Sequence, residues 1–95
     1  MSAAEAADVM PKFNIPANCR AELNGASAIG ETLASCIGDE QAARDQLSRQ
    51  WAQYARDEKA VCISETSVDG TPSYVELLTC LELSSEAKAR RKSAK

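Results

Sequence analysis

The sequence predicts an all-α fold: a small two- to three-helix bundle with an irregular N-terminal arm, stapled by two disulfides. Three observations point there. The 95 residues are enough for one small domain. Apolar residues recur at steps of three and four through the middle and the end of the chain. Four cysteines stand well apart in a chain that has no histidine. The organisation expected is an irregular arm over 1–18, a disulfide-stapled helical domain over 19–84 and a basic helical or frayed tail over 85–95.

In the arm, Pro11 and Pro16 flank Lys12-Phe13-Asn14-Ile15, and each proline restricts its own φ and its predecessor's backbone. Phe13 and Ile15 alternate as in an extended piece and are expected to pack onto the helices. Asn24-Gly25 is a turn signal. A helical stripe then runs through Ile29, Leu33, Cys36, Ile37, Ala43, Leu47, Trp51 and Tyr54. Glu40 with Arg44, and Asp45 with Arg49, are acid-before-base pairs expected on the opposite, solvated face. Gly30 and Gly38 weaken the first turns, so this helix is expected to start at Ser27 or to be re-capped at Asp39. A shorter helix is expected from Asp57 to about Ser64. Val68-Asp69-Gly70-Thr71-Pro72 is a loop, and Ser73-x-x-Glu76 reads as a capping box. The last helix carries Tyr74, Leu77, Leu78 and Leu81 and continues past Ser85 until it frays over 89–95. The long and last helices are expected to run antiparallel, with the short one turning the corner.

The cysteines, Cys19, Cys36, Cys62 and Cys80, are 17, 26 and 18 residues apart. None forms Cys-x-x-Cys, the spacing of thioredoxin-type and zinc-ribbon sites, and Cys-x9-Cys pairs are absent as well. Two disulfides are expected; buried free thiols and a four-thiolate metal site are the competing readings. The apolar inventory is thin, with one Trp, two Tyr and one Phe, against an ordering cost of about 1.5 kcal/mol per residue. Closing rings of this size contributes roughly 3 kcal/mol each on the chain-entropy account. A helix over 39–55 is about 25 Å long and separates Cys36 from Cys62, and in the expected antiparallel pair Cys80 faces the late part of that helix, again away from Cys36. Of three connectivities, Cys19–Cys36 with Cys62–Cys80 is therefore favoured.

Disulfides imply an oxidising compartment. Met1-Ser2-Ala3-Ala4-Glu5 shows neither a basic n-region nor an apolar h-region. Two readings fit: a leader already removed, or a cytosolic protein with free thiols. The first is preferred, because Ala-rich residues commonly follow a signal-peptidase cut. No apolar run approaches the ~18 residues of a membrane span.

Charge is uneven. Up to Leu83, 13 acidic and 6 basic residues leave −7; from Ser84, 5 basic and 1 acidic leave +4. So acidic a body argues against nucleic-acid binding. The Lys88–Lys95 tail suits the negative end of a helix dipole, with weak contact to anionic surfaces as its functional alternative. Without histidine there is no ordinary hydrolytic triad. Asp39/Glu40 and Asp57/Glu58 read as first-turn acids favoured by the dipole, and no calcium loop or phosphate-binding glycine loop is present. No cofactor and no catalytic residue is expected. Arg44, Trp51, Tyr54 and Tyr74 are the candidate interface residues, because aromatics and Arg dominate protein hot spots. The same side chains also suit a core, with Arg44 covering the stripe by its stem.

Cys19-Arg20, Cys36, Glu40-Gln41-Ala42-Ala43-Arg44, Leu47, Trp51, Cys62, Ser73-Tyr74 and Cys80-Leu81-Glu82 together resemble a family of small exported, four-cysteine alphaproteobacterial proteins. The resemblance spans about residues 19–83 and implies export and disulfides rather than an activity. A second similarity, in Cys19, Cys36, Leu47 and Tyr54, is to small exported lysozyme inhibitors. The functional expectation is a non-enzymatic periplasmic or secreted protein-binding module, serving as an accessory subunit of a larger complex. Its alternatives are an inhibitor of a lysozyme-type cell-wall hydrolase and a thiol-active redox or metal-carrying protein.

Overall fold

The structure, a computed structural model, describes residues 9–24 and 32–93. Four helices account for most of them: α1 (Ile15–Leu23), α2 (Leu33–Gln50), α3 (Arg56–Thr66) and α4 (Tyr74–Ser93). Residues 25–31 lie outside the description, and with them Ile29, Gly30 and the Ser27 start.

The extended arm ends at Asn14, not at residue 18. Asn14 is the N-cap of α1, and its Oδ1 accepts from Ala17 N at 3.1 Å. Pro16 falls in the first turn, where its missing N–H costs nothing. The expected packing of the arm does occur. Ile15 is buried, and the Phe13 ring lies 4.6 Å from that of Tyr74.

Thr32 caps α2 through a capping box with Ser35, so the helix is not re-capped at Asp39. Its buried positions are Cys36, Glu40, Ala43 and Leu47. One 3₁₀ turn, Trp51–Gln53, follows, and extended backbone at Tyr54 and Ala55 separates it from α3. The helical stripe thus breaks before Tyr54 instead of continuing to residue 55.

α3 is a full return helix rather than a corner. It packs antiparallel to α4, with Cys62 bonded to Cys80 and Thr66 beside Ser73. Consequently α2 and α4 run parallel, contrary to the antiparallel expectation: Glu40 meets Ser73 and Tyr74, while Tyr54, beyond the end of α2, lines one cleft with Glu82 and Ser85. The physical reason is the length of α3: a helix of eleven residues spans about 16 Å, enough to carry the chain back along α2.

Both favoured disulfides are present, Cys19–Cys36 and Cys62–Cys80, with Cα–Cα distances of 5.9 and 5.7 Å. With the bridged sulfurs, Leu47, Trp51, Tyr74, Leu77 and Leu81 form the centre of the core. Lys59 is also buried, its ammonium 4.9 Å from the Trp51 ring centroid. Beyond the bundle, α4 continues as an exposed extension over residues 86–92.

Candidate functional site

A helix start leaves four backbone N–H groups without intrahelical partners. At α4 every one near the start is answered. Ser73 N donates to Thr66 Oγ1 at 3.0 Å, Tyr74 N to Glu40 Oε1 at 2.8 Å and Val75 N to Glu40 Oε2 at 3.1 Å. Glu76 N donates to Ser73 Oγ at 3.2 Å, and Ser73 Oγ itself donates to Glu40 Oε2 at 2.7 Å. The capping box read from Ser73 and Glu76 is therefore half realised, with Thr66 taking the partner expected from the Glu76 side chain. Glu40 is only 5% exposed. It was assigned to a solvated pair with Arg44, but both its oxygens are engaged with α4, and Arg44 turns to Asp45 at 3.3 Å. A negative group at a helix N-terminus is electrostatically favoured, so this buried carboxylate has a structural occupation. Its legible signal was position: Cys36, Glu40, Ala43, Leu47 and Trp51 share one helical face.

The loop before this helix start is shaped by Gly70, at φ +81°, and by Asp69, whose Oδ1 accepts from Thr71 N and Oγ1. Those two bonds hold the Asp69 carboxyl below its ordinary pKa. Glu76 is moved the other way. Although the residue is exposed, partial burial of its carboxyl, and then the nearby Asp69 and Glu40, raise its pKa. The arm seals the same end: Tyr74 OH donates to Pro11 O and accepts from Phe13 N, both at 2.9 Å, and Asn18 Nδ2 donates to Pro72 O at 2.7 Å.

The four candidate interface residues divide into two places. Arg44 and Tyr74 line one hollow with Met10, Pro11 and Lys12 under the arm. Tyr74, 2% exposed, belongs to the core, whereas Arg44 is half-buried. Trp51, 8% exposed, is a core residue at the other end of α2. Tyr54 is half-buried nearby and donates to Gln50 Oε1 at 2.9 Å; burial, and then Glu82, raise its pKa.

Sequence reasoning passed over a different surface. Of the six large apolar residues exposed among the described residues, Val61, Val68, Val75 and Leu83 lie on the α3–α4 hairpin, and Val9 and Leu33 lie elsewhere. Val75, Thr79 and Leu83 follow one another at i, i+4, i+8 on its outer face, along an open groove of about 510 Å³. Cys80 lies along the same groove, so the disulfide braces its wall. Glu65 and Glu76 are its acidic lining residues. The missed signal was Val75 and Leu83 on the side of α4 opposite Leu77 and Leu81, at helical spacing.

The exposed extension of α4 carries Lys88, Arg90, Arg91 and Lys92, with Arg90 paired to Glu86 at 3.1 Å. No helix among the described residues is long and apolar enough to cross a membrane, and none of their His, Cys, Asp or Glu side chains gather in threes to hold a metal. No protein-family model matches the chain, and neither a curated protein nor a solved structure matches it.

Proposed function

We propose that this protein is a non-enzymatic binding module of an oxidising, extracytoplasmic compartment, the periplasm or the secreted milieu, and that it docks another protein on the outer face of the α3–α4 hairpin. The observation that carries this reading is the concentration of exposed apolar side chains on the one hairpin braced by Cys62–Cys80. Contiguous exposed apolar surface rimmed by polar groups marks interaction sites more often than solvent-facing structure. A crosslinked hairpin also loses little freedom on binding, which lowers the ordering cost of association. The two disulfides and the resemblance to exported four-cysteine proteins support the compartment.

A photo-crosslinking residue at position 83 of the exported protein tests the site, with position 49 on the exposed face of α2 as control. A discrete protein adduct from 83 and none from 49 is expected. Equal labelling from both, or none from either, overturns the reading.

The hydrolase-inhibitor alternative is favoured by the acidic body, which complements a basic enzyme. Its test is the lytic rate of a lysozyme-type enzyme at low salt, and an unchanged rate overturns it. A thiol-active role has no free cysteine to start from, since all four are bridged.

A further inference from the structure

From the groove and its lining we infer that the occupant of the hairpin face is a cationic amphipathic helix of a partner protein, its apolar side chains set along Val75, Thr79 and Leu83 and its Lys or Arg side chains against Glu65 and Glu76. This rests on the docking reading above and names the partner's chemistry.

The length argues for a helix. Val75 to Leu83 spans about 12 Å along α4, two turns, which matches apolar anchors at i, i+4 and i+7 of a helix laid in the groove. The lining argues for cations. Glu76 lines the groove from α4, about 60° round the helix from Thr79, and Glu65 lines it from α3. From Arg56 to Ser84 the hairpin carries six acidic residues, Asp57, Glu58, Glu65, Asp69, Glu76 and Glu82, against Arg56 and Lys59. Lys59 is spent over Trp51 inside the bundle. Carboxylates flanking an apolar strip steer a positive partner and repel a negative one.

The same arrangement disfavours a second copy of this chain. Two-fold pairing of the strips would crowd Glu65 and Glu76 of both copies about one narrow apolar line, and like charges so placed are repulsive. The chain's own basic tail is a poor occupant too, since Lys88–Lys92 brings only alanine as apolar surface.

The test uses the oxidised full chain and two synthetic amphipathic helices of identical leucine spacing, one leucine–lysine and one leucine–glutamate, followed by fluorescence anisotropy. The leucine–lysine helix is expected to bind, about tenfold more weakly to Leu83→Asn, and more weakly to Glu65→Gln/Glu76→Gln or as salt is raised. Leucine–glutamate is expected not to bind. All three positions are exposed, and circular dichroism confirms that each variant stays folded. If the acidic helix binds equally well and through Leu83, the cationic partner is refuted while the docking face stands. Binding of the basic helix that ignores Leu83 refutes the apolar anchor. A dimer of the protein that Leu83→Asn disperses makes the occupant a second copy and overturns the proposal. No binding by either helix removes both the proposal and the docking face beneath it.

Discussion

Replacing Glu40 by glutamine keeps its shape and removes its charge, and the structure fixes what that costs. The amide oxygen can take the place of Oε2, keeping the bonds from Ser73 Oγ and Val75 N. The amide nitrogen then stands where Oε1 accepted from Tyr74 N, so two donors face each other in a buried site. An unsatisfied buried donor costs about 1–3 kcal/mol, and bonds to a neutral acceptor lose part of their charge-assisted strength. Removing the negative charge from the start of α4 adds up to about 1–2 kcal/mol. Relief of repulsion with Glu76 returns a fraction of this. The net expectation is a loss of about 3 kcal/mol.

Urea unfolding of the oxidised protein, followed by circular dichroism, measures the effect. For an m-value of about 1.5 kcal/mol/M, the midpoint of Glu40→Gln falls by about 2 M. Asp39→Asn, one residue away and exposed, is the control and is expected to move by less than about 0.5 kcal/mol. A cycle with Ser73→Ala isolates the coupling between the two side chains. If Glu40→Gln matches Asp39→Asn, the carboxylate does not hold α4 and the account of this helix start is wrong.

Tyr74→Phe strips the acceptor from Phe13 N and the donor from Pro11 O; a loss of about 1–2 kcal/mol is expected, together with faster amide exchange at Phe13. Gly38→Ala meets open space inside α2 and should stabilise by about 0.5–1 kcal/mol, read as a higher urea midpoint. Cys62→Ala/Cys80→Ala should cost about 3 kcal/mol on the chain-entropy account, or about 12–24 °C in Tm by calorimetry. The raised pKa of Glu76 disfavours its ionised form in the fold, so its contribution to stability is complete below the ordinary 4.5 and fades as pH rises through the raised value. Glu76→Gln should therefore gain slightly on wild type across that window and at neutral pH; a pH series of urea midpoints with the opposite sign refutes it.

Much of the fold was legible because it rests on local periodicity. Cys36, Ala43, Leu47 and Trp51 announced the buried face of α2, and Leu77 and Leu81 that of α4. Cysteine spacing led to both bridges, even though the direction assumed for α4 was wrong. What escaped depended on distant partners or on competing local signals. Pro16 was read as a breaker, although after an Asn N-cap it opens a helix. Glu40 was read as a surface acid because its partners, Ser73 to Val75, lie over thirty residues away. Of the candidate interface residues, Trp51 and Tyr74 were taken up by the core, while the strip of Val75 and Leu83 went unnoticed because the face of α4 bearing the leucines dominates its pattern.

The two disulfides do not join the halves of this molecule. Cys19–Cys36 ties α1 to α2, and Cys62–Cys80 ties α3 to α4, each closing a short, sequence-local ring. On unfolding in oxidising conditions the chain would retain two clipped hairpins joined by the segment from Trp51 to Ala55. Assembly of one hairpin on the other is left to packing about Leu47, Trp51, Leu77 and Leu81, and to polar ties at one end: Glu40 on Ser73, Tyr74 and Val75, and the arm on Tyr74. Apolar packing tolerates small slips along parallel helices, whereas three hydrogen bonds converging on one buried carboxylate do not. Glu40 therefore sets the register of α2 against α4. The crosslinks lower the entropy of the unfolded chain, and specificity of the fold rests with a residue that the helical pattern would have assigned to leucine.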